Sequence, residues 1–168
     1  MPQLTHSLDS SLLVRDVTGD YRPANADEVL QAAQRLLAGQ MRDCEVLNSP
    51  QVVRDFLRVK LGALEHEVFA VIHLDAQNRV IEYVEMFRGT VSQTSVYPRE
   101  VVKESLAKNS AALLLVHNHP SGSTQPSRAD EMLTQALKSA LALVDVRVLD
   151  HLIMAGNDIL SFAERGLL

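Results

Sequence analysis

The chain has one cysteine, Cys44, no tryptophan, and aromatic residues make up only 4% of it. A lone cysteine excludes an internal disulfide framework and any zinc site built from several thiolates, so a metal here has to be held by His, Asp or Glu. Cys44 itself reads as a small packing residue or an idle thiol. Positive charge is also short: the formal net charge is −5, without the basic footprint that duplex-binding domains usually carry. No apolar run reaches the ~18 residues of a membrane-spanning helix. The opening MPQLTHSLDSSLL lacks the basic start and long apolar stretch of a secretory signal, so a soluble, cytoplasmic protein with no membrane partner is expected. What remains is 46% apolar and 22% charged over 168 residues, the composition of a globular chain able to bury a core.

Along the chain, residues 1–24 are polar and without a clear period, and read as an extended arm or linker that includes His6. Asn25 and Glu28 form the two ends of a capping box, followed by Val29, Leu30, Ala33, Leu36 and Leu37 on one helical face. Ser49-Pro50 opens a second helix, with Val53, Phe56, Leu57 and Leu61 as its stripe and Gly62 as its stop. The pattern then changes. Val68–Leu74 and Val80–Phe87 are strand-like around an Asp75–Asn78 turn, an antiparallel hairpin. Pro98 begins a helix carrying Val101, Val102, Ser105 and Leu106, and Ala111–Val116 is the short continuous apolar run of a buried strand. Ser127 starts a further helix expected to turn Met132, Leu133, Ala136, Leu137, Ala140 and Leu141 inward. Val146–Met154 and Ile159–Phe162 flank a Gly156-Asn157 hairpin signal. This order predicts an α/β sandwich with a mixed sheet.

Between the buried strand and the next helix lies HNHPSGSTQPSRAD, residues 117–130. His117 and His119 at i and i+2 of extended chain point to one side, so both imidazoles can reach one point. Pro120-Ser121-Gly122 turns the chain sharply, since Pro fixes φ and Gly accepts positive φ. Asp130 then projects from the first turn of the helix that Ser127 caps. Two histidines and one carboxylate with an open fourth position suit a catalytic zinc, which lowers the pKa of a water toward neutrality. Ser127-x-x-Asp130 is equally a capping box that needs no metal, and histidines at strand ends are commonly plain loop residues.

The run H-x-H-x7-S-x2-D, met by His117, His119, Ser127 and Asp130, resembles the JAMM motif of the JAB/MPN metalloproteases. More narrowly, HNHPSG, PSRAD, VYPREVV, VLDHLI and the closing SFAERGLL resemble the RadC branch of that superfamily, over about residues 50–168. The resemblance implies a three-layer α/β/α sandwich of the deaminase-like JAB/MPN type and one Zn2+ per chain on His117, His119 and Asp130. It also implies hydrolysis of a peptide or isopeptide amide by metal-activated water. RadC proteins carry a helix-hairpin-helix segment upstream. Residues 1–48 show no Gly-x-Gly hairpin signal, so the chain resembles a shortened relative, with 1–48 an N-terminal arm and helix and 49–168 the metal-binding domain.

Amide hydrolysis by water needs a base to take a proton and return it to the leaving amine, and 117–130 holds no glutamate. The family places a Glu at the start of an early strand; in EHEVFAVIHLD that position falls on Glu67, with Glu65 second. On sequence alone Glu85 and Glu100 are further candidates, each equally readable as a solvated surface charge. Ser127 is the implied oxyanion donor, a role that competes with capping. Asn118 and Ser121 fit a role in orienting the loop. His151 fits either a group behind a metal ligand or a hydrogen-bonded strand histidine, Arg99 an internal salt bridge, and His66 and His73 carry no assignment. A base deaminase would need His-x-Glu followed by Pro-Cys-x-x-Cys, and one cysteine cannot supply it. The contiguous H-N-H is not the spread ββα arrangement of HNH nucleases. The remaining alternative is a non-catalytic zinc-bearing module in DNA repair or mobile-element DNA processing. For it, Arg54, Arg58 and Lys60 on the second helix make a poor DNA stripe. The expected partner is therefore a peptide or protein substrate laid down as an extended strand.

Overall fold

The computed structural model describes residues 12–42, 44–46, 48–89 and 95–168. His6 and the first eleven residues of the expected arm lie outside them. The rest of that arm is not irregular: β1 (Leu13–Arg15) and β2 (Tyr21–Pro23) form a small antiparallel hairpin. Its loop is organised by Asp16, whose Oδ1 accepts from the Thr18 and Asp20 amides, a local side-chain turn that hydrophobic periodicity does not register.

Helices α1 (Ala26–Met41) and α2 (Pro50–Leu61) follow, α1 opened by the Asn25–Glu28 capping box. On α1 the expected stripe is shallow: Leu30 is 43% and Leu36 61% exposed, and Met41 is its buried residue. On α2 the stripe Val53, Phe56, Leu57 and Leu61 is buried as expected.

Strands β3 (Val68–Leu74), β4 (Val80–Arg88), β5 (Ala112–Asn118), β6 (Arg147–Ala155) and β7 (Asp158–Ser161) make one sheet in the order β4-β3-β5-β6-β7. The β5–β6 pair is parallel and the other three are antiparallel, so the sheet is mixed. Helix α3 (Pro98–Ala107) leads into β5, α4 (Arg128–Ala142) crosses from β5 to β6, and the short α5 (Phe162–Arg165) follows β7.

Both faces of the sheet are covered. Ala70, Ile72, Leu114, Val116, Leu152 and Met154 pack with α1 and α2 residues on one side. Phe69, Val71, Leu113 and Leu115 pack with Val101 of α3 and Leu137 and Leu141 of α4 on the other. Burial of both faces explains why β3 and β5 read as unbroken apolar runs rather than alternating ones. This is the three-layer α/β/α sandwich expected. Strand β5 runs two residues further than the apolar run suggested, so His117 lies inside the sheet rather than past its end.

The inward face of α4 also differs from expectation. Met132 is 65% exposed and Ala136 is exposed, while Thr134 is fully buried beside Leu137 and Leu141. On α3, Leu106 points out at 53% exposure and Ser105 points in, its hydroxyl donating to the Val101 carbonyl.

Candidate metal centre

The centre forms where β5 ends between β3 and β6, beneath the first turns of α4. Phe69 of β3 is in register with His117 of β5, so Glu67, two residues before Phe69, comes opposite His119 on the same face. The His117 and His119 Nε2 atoms stand 2.8 Å apart, and the Glu67 carboxylate shares with them a group of ligand atoms all within 4.8 Å of one another.

Asp130 completes the cluster from above, its carboxylate spanning the two rings: Oδ1 is 3.3 Å from His117 Nε2 and Oδ2 3.6 Å from His119 Nε2. The capping box at the α4 N-terminus delivers it there. Ser127 Oγ accepts from the Asp130 amide at 3.1 Å, while the Ser127 amide and hydroxyl both donate to Asp130 Oδ2 at 2.7 Å. The cap and the approach to the imidazoles are therefore one arrangement. In it the Ser127 hydroxyl proton is directed at Asp130 rather than outward, and the exposed Ser127 orients the carboxylate.

The loop holding His119 is fixed at both ends. The His119 amide donates to the Met154 carbonyl, and Gly122, at φ +83°, closes a turn by donating to the His119 carbonyl at 3.1 Å. His119 Nδ1 lies 2.7 Å from the Ser123 carbonyl, which can only accept, so Nδ1 carries a proton. In the neutral ring this leaves the Nε2 lone pair facing the cluster.

Behind His117, Nδ1 meets His151 Nε2 at 2.8 Å, and His151 Nδ1 meets Thr134 Oγ at 2.6 Å. Sequence reasoning left His151 open and missed Thr134 altogether. The four-residue spacing Asp130–Thr134, which stacks both on one helix face, was the available signal. Asn118, between the histidines, holds the chain at Glu67 rather than its own loop.

The charges agree with this geometry. Burial raises the Asp130 carboxyl, but His117, His119 and the Ser127 hydroxyl outweigh it and hold the group well below the usual carboxylate range. The Asp130 carboxylate in turn raises His119 above its ordinary value. Burial drives His151 well below its ordinary value, with the neighbouring His117 adding to the effect, so His151 is neutral.

A cavity of about 210 Å³ opens onto the cluster, lined by Glu67, Phe69, Val96, His117, Asp130 and Leu133. The other candidate bases are engaged elsewhere: Glu85 pairs with Lys60 and Glu100 with Lys103, while Glu65 is exposed. Arg54 pairs with Glu164 and Arg58 with Asp55, so the cations of α2 already have acidic partners. Arg99 is 83% exposed and lies 3.5 Å from Glu100.

The donor set fits a divalent cation. Two carboxylates that only accept each approach the pair of imidazole nitrogens, and the one ring whose proton a carbonyl fixes turns a bare lone pair inward in its neutral form.

Comparison with known proteins agrees with the fold. Among similar proteins, each named as a UPF0758 protein, that of Leptothrix cholodnii is 59% identical over 150 residues, covering 89% of this chain and 68% of its own. That of Aromatoleum aromaticum is 60% identical over 146 residues, 86% of this chain and 65% of its own. That of an Acidovorax species is 55% identical over 164 residues, 98% of this chain and 69% of its own. The chain thus spans about two thirds of the length of these relatives. Residues 47–167 match the family model described as the RadC-like JAB domain, and with this sheet, motif and degree of identity the chain belongs to that family.

Proposed function

We propose that this protein is a JAMM-type zinc hydrolase that cleaves a peptide or isopeptide amide bond. The observation that carries this reading is the pair of imidazoles, 2.8 Å apart at Nε2, that both the Asp130 carboxylate and the Glu67 carboxylate approach beside a partly apolar cavity. His117, His119 and Asp130 would hold the ion. Zinc at that point supplies Lewis acidity toward water and toward a carbonyl oxygen.

The chain's own residues do the rest. Glu67 is partly exposed and outside the histidine–aspartate contacts, within reach of a water beside them. It accepts a proton from the attacking water and returns it to the amine nitrogen as the C–N bond breaks. Ser127 keeps the Asp130 carboxylate facing the imidazoles, and its hydroxyl serves as an oxyanion donor on turning away from Asp130. Phe69, Val96 and Leu133 give the cavity an apolar wall against which a substrate side chain rests and water is excluded.

Metal content and cleavage test the reading together. Plasma mass spectrometry on protein supplied with zinc is expected to find near one zinc per chain, and almost none in the His117→Ala/His119→Ala variant. A peptide library is expected to be cut by wild type and spared by Glu67→Gln. Wild type that takes up no zinc would return 117–130 to a capped turn. Zinc uptake with no cleavage of any peptide or isopeptide substrate would leave a metal-bearing module without this activity.

A further inference from the structure

Two groups behind the centre are not used in the chemistry above: His151 on β6 and Thr134 on α4, both fully buried. His151 is enclosed by Phe162 at 4.8 Å, His117 at 4.9 Å and Phe69 at 6.0 Å between ring centroids. Each ring nitrogen of His151 has one polar partner, and the identity of those partners fixes where the protons are.

Thr134 Oγ is 2.7 Å from the Asp130 carbonyl oxygen. Two oxygens at that separation need a proton between them, and only the hydroxyl has one. With its proton given to Asp130, Thr134 Oγ accepts from His151 Nδ1, 2.6 Å away. His151 Nδ1 is then the protonated nitrogen, and in the neutral ring Nε2 is a lone pair. That lone pair faces His117 Nδ1 at 2.8 Å, so His117 Nδ1 is the donor and, in the neutral ring, His117 Nε2 is bare, which leaves His119 to carry the proton of the 2.8 Å contact between the two Nε2 atoms. The contacts close a loop across three elements, from the Asp130 carbonyl through Thr134, His151 and His117 back to the Asp130 carboxylate.

We propose that His151 is the positioning residue of the centre: held in its Nδ1–H tautomer by Thr134, it takes the Nδ1–H of His117 and fixes that ring with an unprotonated Nε2 aimed at Asp130 and His119. The inference rests on the reading of His117 as a metal ligand. It assigns a purpose to VLDHLI that the ligand motif does not include. His151 stands to His117 as the Ser123 carbonyl stands to His119, so each ligand ring is steered from behind by its own acceptor.

The test reads tautomers directly, by two-bond 1H–15N correlation on the metal-free full chain near neutral pH, together with zinc affinity by chelator competition. Wild type is expected to show His117 and His151 both as Nδ1–H tautomers. Thr134→Val removes the hydroxyl at nearly constant shape. It is expected to mix the tautomers of both rings and weaken zinc ~10–100-fold, with Thr134→Ser restoring both readouts. Finding His117 protonated at Nε2 in wild type would overturn the inference without any variant. So would Thr134→Val with unchanged tautomers and zinc affinity within about twofold of wild type. Wild type with the expected tautomers but no zinc uptake would sink the hydrolase reading and leave the relay standing.

Discussion

The side-chain amide of Asn118 brackets Glu67: its Nδ2 donates to the His66 carbonyl at 3.0 Å and its Oδ1 accepts from the Val68 amide at 2.8 Å. One side chain thus stands in for a strand partner where β3 begins, and fixes the peptide groups on both sides of the proposed base. Asn118→Ala is expected to strand both backbone groups and cost about 2 kcal/mol in urea unfolding of the metal-free protein. Asn118→Asp is expected to cost more, because a carboxylate then faces the His66 carbonyl. An alanine variant as stable as wild type would show that the two bonds are replaced by water.

Ser127→Ala removes the α4 cap and one of the donors that turn Asp130 toward the imidazoles. The expected loss is about 1 kcal/mol of stability, read by thermal unfolding. Zinc affinity is expected to fall as well, and Ser127→Thr to recover most of both. A loss of stability with unchanged zinc affinity would separate the cap from the centre.

Zinc uptake is expected to be pH-dependent through His119. The Asp130 carboxylate raises that imidazole above its ordinary value of 6.5, so a proton competes for Nε2 at pH 6.5 and above it. Affinity therefore rises with pH through that range, and binding releases a proton. Without metal the sign is the reverse for stability: the His119–Asp130 pairing is fully present below pH 6.5 and is lost as pH rises through the raised value. Isothermal titration in buffers of different ionisation enthalpy counts the protons released; none at pH 6.5 would contradict the pairing.

His73 titrates the other way. It is fully buried on β3, with Nδ1 2.8 Å from Ser110 Oγ and Nε2 without a hydrogen-bond partner among the described residues. Burial pushes its pKa from 6.5 down to about 4. Between those values the unfolded chain binds the proton and the folded chain does not, so stability falls as pH falls, by about 3 kcal/mol in all. His151 adds in the same direction, so the His73 share is read as a difference: His73→Leu is expected to flatten the urea-unfolding profile between pH 6.5 and 4. An unchanged slope would mean that His73 takes its proton in the fold.

The corrected face of α4 has its own test. Leu137 is fully buried and Met132 is 65% exposed. Leu137→Ala is expected to cost roughly 2–5 kcal/mol and Met132→Ala less than about 0.5 kcal/mol in denaturant unfolding. Equal costs would restore the simple amphipathic reading.

Local chemistry was legible in the sequence itself. The capping boxes at Asn25–Glu28 and Ser127–Asp130, the positive φ of Gly122 and the strand β3 depend on near neighbours and on unbroken apolar runs, and they formed where the residues called for them. Thr134, His151 and Asn118 depend on contacts 17 to 52 residues away in sequence. Periodicity ranked Met132 above Thr134 as a core residue because it weighs hydrophobicity. The fold buries Thr134 because its hydroxyl meets a histidine and a carbonyl there, a polar satisfaction visible only once α4 lies over β6. The resemblance put Glu67 ahead of Glu65, Glu85 and Glu100, and which of them lies near the histidines is a matter of register. Phe69 pairs with His117, and that pairing, set by how the sheet assembles, puts Glu67 beside the histidines.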